Sequence, residues 1–204
     1  MVNSETSYRI RVKRAESREG FRFKSESLFC LSTLKNNNNE KPLTYVMKNL
    51  NAIGLDKSKS KELAEKINIL LANYSIFYQN TRGYHWNIKG QKFFELHLKF
   101  EELYTDLLLK IDEVAERILT LGHTPLHNYS TYKQTSLIAE STEVSDGIKA
   151  VENILESFKI TITLQREILN LSAETEDEGT NALMSDYIRA QEKLVWMYSA
   201  FLTT

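Results

Sequence analysis

Hydrophobic positions recur every three or four residues through most of this chain. From Asp56 onward the stripe is Leu63, Ile67, Leu70, Tyr74, Phe77, Tyr78, Thr81 and Tyr84. That period predicts a helix, capped by Asp56 or Ser58 and running to about Trp86, with Gly90 in the turn after it. A second helix starts near Lys92 and turns Phe93, Leu96, Phe100, Leu103, Tyr104, Leu107, Leu108, Ile111, Val114, Ala115 and Ile118 inward. Gly122 and Pro125 end it, as a glycine just past a helix and a following proline commonly do. Residues 123–139 form a longer connection, with one short helix around Tyr129–Gln134. A third helix runs from about Thr142 to Leu171 through Val144, Ile148, Val151, Ile154, Leu155, Phe158, Ile162 and Leu169. The acidic run Glu174–Glu178 with Gly179 makes a turn. A fourth helix, from about Asn181 to Phe201, carries Leu183, Met184, Tyr187, Ile188, Leu194, Val195, Met197 and Tyr198.

Composition supports an all-α reading. The 204 residues include only 7 Gly and 2 Pro, too few turn residues for a many-stranded fold. Two helical pairs with short turns, joined by one long connection, predict a ferritin-like four-helix bundle whose long B–C connection carries a short helix. A single cysteine, Cys30, rules out a disulfide framework or a cysteine-based zinc site within one chain. No apolar run reaches the roughly 18 residues of a membrane span. The N-terminus lacks a signal-peptide apolar region and is too rich in Glu for a transit peptide, so a cytoplasmic location is expected.

The net charge of −1 hides an asymmetry. Residues 1–46 hold 9 Lys/Arg against 5 Glu, a balance of +4, and the rest of the chain balances at −5. In that first segment Tyr8, Ile10 and Val12 alternate with Arg9, Arg11 and Lys13, and a polar low-complexity stretch follows from Lys35 to Pro42. Such a segment cannot bury enough apolar surface to order itself. Residues 1–46 are therefore expected to be a disordered basic extension or an upstream start-site over-call. Residues 47–204 are expected to be the bundle.

Candidate ligands are few, because there are only four histidines: His85, His97, His123 and His127. His85 lies near the end of the first helix. On the second, His97 and Glu101 are four apart, as are Asp112 and Glu116, and an i, i+4 pair points from one helix face. Histidine with carboxylates suits iron, manganese or zinc. His97 and Asp112 lie about 22 Å apart along a helix and cannot share one ion. A two-fold axis that sets two such helices antiparallel would bring one end against the other end of its mate, giving two equivalent inter-subunit sites. Intra-bundle di-iron proteins need two Glu-x-x-His motifs, and this chain has none. His-Glu-x-x-His, a Walker loop and Gly-x-Gly-x-x-Gly are absent too. Chance pairing on a charged helix, and a satisfied buried His85, remain open on spacing alone.

The residues themselves resemble a family. Arg82-Gly83-Tyr84-His85-Trp86-Asn87, Phe94-Glu95-Leu96-His97, Phe100-Glu101-Glu102-Leu103-Tyr104 and Asp112-Glu113-Val114-Ala115-Glu116-Arg117 look like the signature of Dps-type mini-ferritins. Gly122-His123-Thr124-Pro125 and the Glu192–Leu202 segment around Trp196 are also similar. The likeness covers about residues 47–204. It implies a dodecameric hollow shell built from two-fold dimers, a ferroxidase that oxidises Fe(II) preferentially with hydrogen peroxide, and a stored ferric mineral. It implies iron at a dinuclear inter-subunit site, with His85 and His97 from one subunit, Asp112 and Glu116 from its mate, and Glu101 at an auxiliary position often held by Asp. Trp86 matches an aromatic beside the site, a radical interceptor or a packing residue. Glu174, Glu176, Asp177 and Glu178, with Asp186, line a cation pore or form a solvated turn. His123 and His127 are expected in a surface loop. The alternative function is a nucleoid-associated protein that shields DNA, through residues 1–46 or through Lys48, Lys57, Lys59 and Lys61.

Overall fold

Asp56 begins the first long helix because its carboxylate accepts the Ser58 and Lys59 backbone N–H groups, at 2.9 and 3.1 Å. In the computed structural model, which describes residues 43–203, that helix is α2 (Lys57–Asn87), preceded by the short α1 (Leu43–Lys48). The others are α3 (Phe93–Thr120), α4 (Tyr129–Thr135), α5 (Gly147–Glu174) and α6 (Glu178–Leu202). The chain is all-α across the described residues, in the ferritin-like four-helix arrangement with α4 in the long connection. The expected extension 1–46 lies outside the described residues except for Leu43–Val46, which belong to α1; that helix spans the expected boundary at 46/47.

Helix α3 ends as its sequence predicts. Gly122 sits at φ +89, its N–H donates to the Leu119 carbonyl, and the His123 N–H reaches back to Ile118. Two other boundaries differ from expectation. The third helix starts at Gly147 rather than Thr142, because Asp146 caps it and the Asn80 side chain accepts the Ser141 N–H at 2.9 Å. The fourth starts at Glu178, because the Asp177 carboxylate accepts the Thr180 N–H. Leu108 and Ile148, expected in the core, are both 49% exposed, and Met197 is 44% exposed.

The chain runs up α2, down α3, back up through the connection, down α5 and up α6. Contacts at the two ends establish this order. At one end Gly147 lies against Leu96 and Ile88, leaving no room for a Cβ, and the Tyr198 hydroxyl donates to the Lys99 carbonyl. At the other, Arg117 donates to Thr180 and Asp177, while Lys59 donates to the Glu174 carbonyl. The core between the helices includes Phe77 against Phe158, edge-on at 5.1 Å, and Tyr74 against Tyr187 at 6.2 Å.

Three asparagines on α2 carry the rising connection. Asn68 accepts the Leu126 N–H at 2.8 Å. Asn73, fully buried, accepts the N–H groups of Leu137 and Ile138 and the Ser136 hydroxyl. Asn80 donates to the Ala139 carbonyl and accepts from Ser141. An irregular segment packed on a helix has backbone groups that neither water nor secondary structure satisfies, and these side chains supply the partners. Asn73→Leu is expected to orphan the Leu137 N–H, to leave the Ile138 N–H and the Ser136 hydroxyl with only each other's residue as partner, and to destabilise the protein by about 1–3 kcal/mol, read as a lower denaturant midpoint. Ser75→Ala, which removes one bond from a side chain to its own helix, is expected to shift the midpoint far less.

Candidate metal centre

His85 stands in the last turn of α2 and His97 near the start of α3, on either side of a tight turn. Gly90 makes that turn possible at φ +105, and its carbonyl accepts the Phe93 N–H at 3.1 Å. The two imidazoles stack with centroids 3.8 Å apart and planes 19° from parallel. Each is tied to the other's backbone: His85 Nδ1 lies 2.8 Å from the His97 carbonyl, and His97 Nδ1 lies 2.8 Å from the His85 carbonyl. A carbonyl oxygen can only accept, so both Nδ1 atoms carry the proton. In the neutral ring, a proton on Nδ1 leaves the lone pair on Nε2, the arrangement in which a second hydrogen bond orients a metal-ligating histidine. His85 is only 9% exposed, and His97 is half-buried.

The carboxylates stand apart. Glu101, Asp112 and Glu116 are all exposed on α3. Glu101 is one turn beyond His97, while Asp112 and Glu116 lie toward the far end, about 22–28 Å along the axis. Among the described residues, no three His, Cys, Asp or Glu side chains of this chain gather as a metal-holding group. The chain therefore brings His85 and His97 together and leaves Asp112 and Glu116 apart from them. Phe94, Leu98, Leu108, Leu109 and Leu119 are 82%, 53%, 49%, 61% and 58% exposed, and at 100° per residue they interleave with those carboxylates on one side of α3. An apolar face of this kind on a soluble helix marks a contact surface.

The bundle centre offers no second site. Tyr74 accepts from the Gln165 and Gln191 amides at 2.7 and 2.6 Å, and Gln165 also donates to Gln191. These are neutral groups, and burial drives the Tyr74 hydroxyl far above its usual range, keeping it protonated.

The ferritin-like domain model matches residues 64–204. The DNA protection during starvation protein of Porphyromonas gingivalis is 39% identical over 154 residues, covering 76% of this chain and 97% of that protein. An uncharacterized Haemophilus influenzae protein is 55% identical over 153 residues, covering 75% of this chain and 96% of its own length. The solved Dps structure from Vibrio cholerae, described as a member of a broad superfamily of ferritin-like diiron-carboxylate proteins, is 58% identical with a TM-score of 0.75, covering 76% of this chain and 98% of that one. The chain belongs to the ferritin-like family, in its Dps-type mini-ferritin branch.

In this mini-ferritin the acidic turn behaves differently from the run read in sequence. Glu174 closes α5, Glu178 opens α6, and only Thr175–Asp177 lie between. Asp177 is 3% exposed and ion-paired with Arg117, so it faces the bundle; Glu174, Glu176, Glu178 and Asp186 are exposed. A Cβ at Gly179 would lie 2.9 Å from the Arg117 guanidinium, so a larger residue there would displace the end of that side chain. His123 is half-buried and His127 exposed, both in the connection. Trp86 is 58% exposed, with the Arg82 guanidinium 4.6 Å above its ring. Phe93 and Tyr104, which fit the core stripe of α3, also touch the histidine pair, Phe93 over His97 at 5.0 Å and Tyr104 edge-on to His85 at 5.3 Å. The i, i+4 spacing from Phe93 to His97 is the signal that could have found the first of these.

Burial alone would raise the Asp177 carboxyl, but hydrogen bonds from Thr180 and Arg117 outweigh it and hold it below the ordinary carboxylate value. The unfolded chain therefore takes up this proton first as pH falls. The stabilisation is complete above an unfolded value of about 3.9 and is lost as pH drops through the depressed folded value. Asp177→Asn keeps a capping side chain but removes the charge. It is expected to lower the melting temperature by several degrees at pH 5–8, with the gap closing below about pH 4. Thermal melts of both proteins across that range check it.

Proposed function

We propose that this mini-ferritin is an iron-binding ferroxidase and iron store that oxidises Fe(II), preferentially with hydrogen peroxide, at sites completed between two-fold related subunits. The observation that carries this reading is the histidine pair: two stacked imidazoles whose Nδ1 atoms are tied down, with no carboxylate among the described residues completing a ligand set around them. The donors needed are those that α3 exposes on its apolar face. An antiparallel pairing of two α3 helices sets His85 and His97 of one subunit against Asp112 and Glu116 of the partner subunit, with Glu101 beside them as an auxiliary ligand.

The donor set suits the reaction. Imidazole holds Fe(II), and hard anionic carboxylates favour Fe(III), so oxidation proceeds toward the state the site prefers. Two ferrous ions each give one electron to one peroxide. The O–O bond breaks, and with two protons the peroxide leaves as two waters. Paired electrons in one site spare the one-electron cleavage that would release hydroxyl radical. Trp86, exposed next to His85, is placed to take up a stray oxidising equivalent. Exposed Glu174, Glu176, Glu178 and Asp186 would raise local cation concentration near α6. Twelve such subunits closing into a shell would keep the ferric product inside, within a bacterial cytoplasm.

The DNA-shielding alternative rests on residues 1–46, which lie outside the described residues apart from 43–46, or on Lys48, Lys57, Lys59 and Lys61, of which the last three have partners. Lys57 donates to the Lys48 carbonyl at 2.8 Å, Lys59 to the Glu174 carbonyl, and Lys61 stands 3.9 Å from Glu65. The relatives' names assign DNA protection to those proteins. Here protection would follow from removing Fe(II) and peroxide.

Subunit complementation tests the reading. His97→Ala and Asp112→Ala shells are each expected to lose at least 90% of peroxide-dependent Fe(II) oxidation. Shells refolded from an equal mixture are expected to regain about a quarter of the wild-type sites, because each site draws its two halves from different chains. Wild-type rates in either variant, or no recovery in the mixture, would refute it.

A further inference from the structure

Four aromatic rings form a continuous column through the α2–α3 turn. Phe93 lies over the outer face of His97, 5.0 Å away and 24° from parallel. His97 stacks on His85 at 3.8 Å, and Tyr104 meets His85 edge-on at 5.3 Å and 80°. Tyr104 is itself braced edge-on by Tyr78 at 6.2 Å.

A single hydrogen bond at Nδ1 fixes one edge of an imidazole but leaves the ring free to rock about that bond. The tilt is set only when both faces are covered. His97 is stacked against both Phe93 and His85; His85 is stacked against His97 and meets Tyr104 edge-on. Because the two Nδ1 bonds are reciprocal, each ring also ties down the backbone of the residue that bears the other ring. The outer face of His97 is the weak point, since one side chain at the first position of α3 covers it.

Building on the metal-site reading above, we propose that Phe93 is a positioning residue of the histidine pair, with Tyr104 as its counterpart at the other end of the column. The flat face of Phe93 is what acts; its volume alone does not. Without it the imidazole gains rotational freedom that a bound cation must then remove.

The test uses assembled full-length protein, with Co(II) as a probe that reports binding without oxidation chemistry. Phe93→Leu is expected to weaken Co(II) binding about fivefold, to alter the visible absorption of bound Co(II), and to raise the half-saturating Fe(II) concentration by a similar factor while turnover at saturation stays within about twofold. Phe93→Tyr, which keeps the flat face, is expected to restore all three to within about twofold of wild type. Tyr104→Leu is the second variant and is expected to change the Co(II) spectrum in the same direction. Wild-type Co(II) affinity and spectrum in Phe93→Leu, with loss in His97→Ala, overturns the positioning role and leaves the site reading standing. Equal losses in Phe93→Leu and Phe93→Tyr overturn it as well. Wild-type Co(II) binding by His97→Ala overturns the site reading and the positioning role together.

Discussion

Helix α2 has to satisfy neighbours on nearly every side, and the rest of the molecule is arranged around that demand. It packs against α3, α4 and α5, and its buried positions include Leu63, Ala64, Ile67, Leu70, Leu71, Ala72, Tyr74, Phe77, Thr81 and Tyr84. From Leu70 to His85 only Gln79 is exposed, so polar groups there have little solvent to face. Its asparagines are instead bound to the rising connection, and its last histidine to α3. The irregular backbone gains partners it would otherwise lack, and the helix keeps polar residues without leaving them unsatisfied. Through those bonds α2 fixes where α5 begins and where the imidazoles stand.

The bundle itself was legible in the sequence, because helix periodicity and scarce turn residues both follow from local chemistry. Gly122 is the clearest case: its place after the stripe predicts the left-handed residue and the reach-back bonds that the structure has. What failed was local in another way. Thr142–Asp146 have helical spacing, yet Asn80, more than 60 residues away, takes the Ser141 N–H and holds that stretch out of the helix. Leu108 and Ile148 fit the apolar period but point outward, since a period locates a face without saying what covers it. At the candidate centre, the two histidines flanking the α2–α3 turn were readable, and the bond between each imidazole and the other's carbonyl was not. Asp177 looked like one more acid in a run; its pairing with Arg117 is a contact between residues 60 apart.

The interior chemistry explains why the surface matters. Tyr74, Gln165 and Gln191 meet inside the bundle and hydrogen-bond to one another. A neutral network can be buried without the desolvation cost of charge, and it holds α2, α5 and α6 together at one level. The acidic residues that could hold iron are correspondingly on the outside of α3.

The turn between α2 and α3 also bears on the order of folding. His85 and His97 are only 12 residues apart, whereas the bonds that hold the connection join residues 56–65 apart and the Tyr74–Gln191 bond spans 117. Short loops close at a lower entropic cost than long ones. The imidazole pair therefore belongs to the hairpin that can form first, while the chain is still emerging, and the long-range ties come afterwards. A young chain can stack its two imidazoles early, before the segments that tie α4, α5 and α6 to α2 have been made.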